Sequence, residues 1–149
     1  MLANRTIPPV PLALGLAGLI PFWGLALGLA TGVTLGRAPD TLAFALAAYA
    51  AVIASFLGGI RWGIAVTMED QARARREYVI AVVPSLLAWG LLLIAPEWRL
   101  EALAVLVIAW GLIDYGMVCR EDAPEWFGRL RLLLSGGAGA ALILAAIVT

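Results

Sequence analysis

Two ionisable residues interrupt otherwise apolar stretches of this sequence: Arg61 in FLGGIRWG and Asp114 in AWGLIDYG. A charge held at bilayer depth is costly, so it points to a pairing partner, an ion path or a ligand. Arg61 follows Thr41 to Ile60, which at about 20 residues is already a full membrane span. Its long side chain can therefore snorkel to the near headgroups, or pair within the bundle. Asp114 has no such reach, and a salt bridge is the simpler way to keep it charged. At roughly 1.5 Å per residue both residues fall within about 6–11 Å of the same membrane boundary. An Arg61–Asp114 pair is thus geometrically open, and losing one partner of such a pair should cost several kcal/mol.

Other chemistry is hard to build from this composition. There is no His and a single cysteine, Cys119. Bis-His haem, His-based metal catalysis, a His proton relay and an intrachain disulfide are thereby excluded. Ser85 and Ser135 have no His to activate them and read as helix-packing hydroxyls. No phosphate-binding glycine loop, nucleophile–base pair or metal-ligand cluster is visible. The expectation is a protein that is not an enzyme and takes no metal or cofactor. A net charge of zero gives no reason to expect nucleic acid.

The elements that must position Arg61 and Asp114 are membrane helices. Of 149 residues, 63% are hydrophobic and 13% charged, about half the charge of a soluble domain. Five spans fit, at about residues 10–35, 41–68, 78–95, 98–118 and 130–148, as one integral membrane domain covering 1–149. The expected fold is an all-α polytopic bundle. The first run is longer than a signal-peptide core and is expected to stay as a helix. Pro21 and Pro84 fall inside the first and third spans and should bend them.

Arginine placement orients the bundle. The N-terminus and the second and fourth loops hold Arg5, Arg73, Arg75, Arg76, Arg120, Arg129 and Arg131, against Arg37 and Arg99 in the other two. That bias puts the N-terminus inside and the C-terminus outside. Arg73, Arg75, Arg76, Arg129 and Arg131 are then expected at lipid headgroups. Cys119, at the same boundary, has no evident role.

Small residues recur at every fourth position of the second span: Ala43, Ala47, Ala51, Ser55, Gly59 and Gly63. Gly24, Gly28 and Gly32 do the same in the first. Such rows let membrane helices pack closely, against a helix of this chain or against another protein.

Four segments carry a family resemblance: LGLAGLIPFWG at Leu14 to Gly24, AYAAVIASFLGGIRWG at Ala48 to Gly63, VVPSLLAW at Val82 to Trp89, and APEWFGRLRLLLS at Ala123 to Ser135. Together they resemble the domain-of-unknown-function 3429 family, whose members occur in bacterial inner membranes and in mitochondria. The resemblance implies a multi-helix fold and a multi-pass place in a bacterial cytoplasmic (inner) membrane, with relatives in the mitochondrial inner membrane. It implies no activity and no catalytic residue. The expected role is a non-enzymatic accessory or assembly subunit of a larger membrane complex, respiratory or photosynthetic. Its expected partners are membrane lipids and other integral membrane subunits, or copies of itself. The alternative is a small transporter or channel built on Arg61 and Asp114.

Overall fold

The computed structural model describes residues 6–94 and 97–149. It contains five helices: α1 (Pro9–Thr31), α2 (Pro39–Val66), α3 (Gln71–Ile94), α4 (Arg99–Cys119) and α5 (Glu125–Val148). All five are long and apolar enough to cross a membrane. No strand occurs among the described residues. Arg5 and the expected end of the third span at Ala95 lie outside them.

Three boundaries differ from the apolar runs by more than two residues, each for a local reason. The first helix stops at Thr31, not Leu35, because Gly32 closes it in the left-handed conformation with φ 74°. The third begins at Gln71, seven residues before Tyr78. There Asp70 Oδ1 accepts the free N–H groups of Ala72 at 2.9 Å and Arg73 at 3.2 Å. The fifth begins at Glu125, not Leu130, directly after Pro124, with an acid in its first turn where the helix dipole favours one. These early starts place Glu77 and Arg131 well inside helices.

Packing order follows from close contacts. A Cβ built on Gly58 of α2 would overlap the backbone carbonyl of Ala81 in α3, so these helices touch backbone to backbone. Along α4 and α5, Gly111 faces Ser135 and Gly139 faces Ile108, an antiparallel register. Gly15 meets Leu134 and Gly137 meets Leu19, so α1 runs parallel to α5. Tyr49 of α2 donates its hydroxyl to the Gly18 carbonyl of α1 at 3.0 Å and sets its ring edge against Phe22. The centre is apolar and rich in alanine, with Phe22, Leu46, Ala50, Leu103, Val107 and Leu142 among its buried members. Helices α1 and α3 both continue through their prolines, and the ring of Pro84 sits beside Gly58.

Candidate functional site

Each of α2, α3, α4 and α5 turns a core stripe toward the bundle, and each stripe contains one charge. On α3 the buried positions are Ala74, Glu77, Ala81, Pro84 and Ala88, alternating by three and four. On α4 they include Leu103, Val107, Trp110, Asp114 and Met117; on α5, Gly128, Arg131, Ser135, Ala138 and Leu142. Arg61 takes the equivalent place on α2, between Leu57 and Ala65. Arg61, Glu77, Asp114 and Arg131 are each at most 5% exposed. Each lies five or six residues from the nearest helix end, about 8–9 Å at roughly 1.5 Å per residue.

The four side chains form one connected set. Arg61 divides its guanidinium, with Nη1 donating to Glu77 Oε2 and Nη2 to Asp114 Oδ1 at 3.0 Å. Nη2 also reaches the Ile113 carbonyl at 3.3 Å. The other oxygen of Asp114, Oδ2, accepts from Arg131 Nε at 2.9 Å. Arg131 Nη2 then donates to Ser135 Oγ at 3.2 Å. On the opposite flank Glu77 Oε1 accepts from Arg120 Nη2 at 3.5 Å. Arg120 Nε in turn donates to Asp122 Oδ2 at 3.2 Å, and Asp122 Oδ1 pairs with Arg73. Charges alternate along the whole chain, from the half-exposed Arg73 inward to Arg131.

The electrostatics explain why both acids of the quartet are needed. Two arginines and two carboxylates sum to zero, so no net charge is held in the low-dielectric interior. A lone ion would carry a desolvation penalty of several kcal/mol, and mutual attraction with good hydrogen bonds offsets it. Each buried carboxylate is bridged to two arginines, which ties α2 to α3 and α4, and α4 to α5. The group is a clasp across four helices near one end of the bundle.

Arg61 and Asp114 are therefore together, but as the middle of a longer chain. Arg131, expected at headgroups, is buried on Asp114 and Ser135, because α5 begins early enough to carry it into the core. Arg73, Arg75, Arg76 and Arg129 are exposed. The every-fourth row on α2 does not act as one face. At about 100° per residue each step of four advances by about 40°, so six members sweep over half the helix. Ala47 and Ala51 are buried and Ala43 is half-buried, while Ser55, Gly59 and Gly63 are exposed. A Cβ on Gly59 or Gly63 would meet nothing within 4 Å. On α1, Gly28 faces Leu42, Gly24 has open space, and Gly32 ends the helix instead of packing. Glu77 and Asp122 do not stand out in the sequence, and Arg120 figures there only among the charges that orient the bundle. The signal for Glu77 lay in the spacing Ala74, Glu77, Ala81, Pro84 and Ala88, which puts it on an apolar face once the helix starts at Gln71.

The family model described as "Protein of unknown function (DUF3429)" matches residues 7–147. Transmembrane protein 69 of Xenopus tropicalis is 38% identical over 135 residues, covering 89% of this chain and 52% of that protein. Transmembrane protein 69 of Mus musculus is 33% identical over 130 residues, covering 85% of this chain and 51% of its own length. The chain thus spans about half the length of these relatives. No solved structure matches it.

Proposed function

This chain belongs to the DUF3429 family, and we propose that it works by association rather than catalysis. In this reading it is a non-enzymatic multi-pass protein of the bacterial inner membrane, with its N-terminus inside, acting as an accessory or assembly component of a larger membrane complex. The setting proposed for that complex is an energy-transducing membrane, respiratory or photosynthetic.

The observation that carries the proposal is the outward row Ser55, Gly59 and Gly63 on α2. Glycine in a helix interior costs about 1 kcal/mol relative to alanine. Gly58 is accounted for by its approach to Ala81, but a Cβ on Gly59 or Gly63 would meet nothing within 4 Å. Small residues on an outward helix face let another helix pack closely there, from a second copy or from a different membrane subunit. Replacing Gly59 and Gly63 with leucine tests this, with co-purification from native membrane in mild detergent as the readout. Loss of the associated protein with unchanged thermal stability supports the proposal. Association that survives both replacements counts against it.

Transport through the Arg61–Asp114 region draws less support. The buried polar and charged side chains among the described residues are Arg61, Glu77, Asp114, Arg131 and Ser135, all in one half of the bundle. The other half is filled by Leu46, Ala47, Leu103 and Leu142, each 0% exposed. An ion following the buried arginines would meet an apolar layer beyond Ser135.

A further inference from the structure

A groove of about 440 Å³ opens between α1, α2 and α5 beside the charged quartet. It falls within the roughly 300–1,000 Å³ typical of small-molecule sites. On α1 it extends from Val10 to Phe22, about 18 Å at roughly 1.5 Å per residue. Its walls are apolar, with aromatic rings from Phe22, Phe56, Trp126 and Phe127. Arg131 and Ser135 supply its hydrogen-bonding side chains besides the Trp126 indole.

Arg131 is the unusual member of that lining. It is 5% exposed, yet it borders the groove. Its Nη2 turns inward to Ser135, one helical turn deeper, so the guanidinium does not snorkel toward the near headgroups. A guanidinium carries five N–H donors. Nε serves Asp114 and one Nη2 hydrogen serves Ser135, and Nη1 has no acceptor in these bonds. Because Arg131 borders the groove, a ligand there lies beside a charge-assisted donor.

Two features define the ligand's chemistry. The quartet is already neutral, so an anionic head beside Arg131 would introduce an uncompensated buried charge. An uncharged oxygen acceptor would not. Depth gives the second constraint. α5 has 24 residues, about 36 Å against a hydrocarbon thickness of about 30 Å. Centred in the bilayer, it carries Arg131, six residues past Glu125, about 6 Å below the hydrocarbon boundary. A phospholipid cannot bring its phosphate there.

We propose that this groove binds a membrane quinone, its ring carbonyl accepting from Arg131 and its apolar tail leaving between the helices into lipid. The ring fits the aromatic walls, where stacked or edge-on contacts add to apolar burial. The site is separate from the outward glycine row of α2, so its test is independent of the association proposal.

The test uses the full chain in nanodiscs of neutral diacyl lipid and a benzoquinone bearing a ten-carbon tail. Lipid-only nanodiscs give the partition baseline. One saturable site above that baseline is expected, undisplaced by palmitate or phosphatidylglycerol. Gly18→Leu should remove the saturable component, because Gly18 lines the groove and a Cβ there meets only the Tyr49 hydroxyl, at 3.9 Å, which leaves room for a larger side chain to occupy the groove. Arg131→Gln should weaken binding about tenfold or more while binding to the apolar walls persists. Should Arg131→Gln fail to fold, Gly18→Leu decides. Uptake no greater than in empty nanodiscs overturns the proposal. So does unchanged binding by Gly18→Leu, or equal displacement by the anionic amphiphiles.

Discussion

Replacing Asp114 with asparagine removes one charge from the quartet with almost no change of shape. Arg61 keeps Glu77, but Arg131 loses the carboxylate it donates to, and the buried sum moves from zero to one positive charge. Breaking a buried pair in this way costs about 3–5 kcal/mol. The half-exposed Arg73 sets the contrast, since a surface pair is worth about 0–1 kcal/mol and Arg73→Ala should fall in that range. Neutrality also makes a sharper prediction. The double variant Asp114→Asn/Arg131→Gln returns the buried sum to zero, leaving Arg61 with Glu77. It should be more stable than Asp114→Asn alone, or at least cost about 1–3 kcal/mol less than the two single changes added. The assay is reversible unfolding in mixed detergent micelles, followed by loss of helical circular dichroism. A cost below about 1 kcal/mol for Asp114→Asn, or strict additivity in the double variant, would refute the electrostatic account.

Two further outcomes are expected. Gly58→Ala should destabilise by about 1–3 kcal/mol, because its methyl meets the Ala81 backbone, which cannot give way. Gly59→Ala, one residue on and facing open space, should be neutral or stabilise by up to about 1 kcal/mol in the same unfolding assay. Cys119 is the sole cysteine and is exposed at the end of α4. A membrane-impermeant maleimide should label it in inside-out vesicles and not in intact cells; the reverse result would invert the orientation.

Much of this molecule is legible in its residues. Five apolar runs give five membrane helices, because a backbone without water must satisfy its own hydrogen bonds and each run is long enough to do so across a bilayer. Arg61 and Asp114 are conspicuous for the same reason, as charges among residues that have none. Glu77 and Arg131 were obscured by their surroundings. Each follows other charged residues near a helix start, where a charge is ordinary, and only the capping by Asp70 and the start of α5 at Glu125 carry them inward. The row from Ala43 to Gly63 misleads in the opposite sense. Its spacing suggests one face, but a helix of 3.6 residues per turn rotates it from the core at Ala47 to the outside at Gly63. Apolar content and length alone therefore determined the number and kind of helices. Tertiary structure decided which charge meets which, that the quartet sums to zero, and that a groove lies against Arg131. Those properties depend on helix phase and depth, which local composition does not encode and packing of the whole bundle sets.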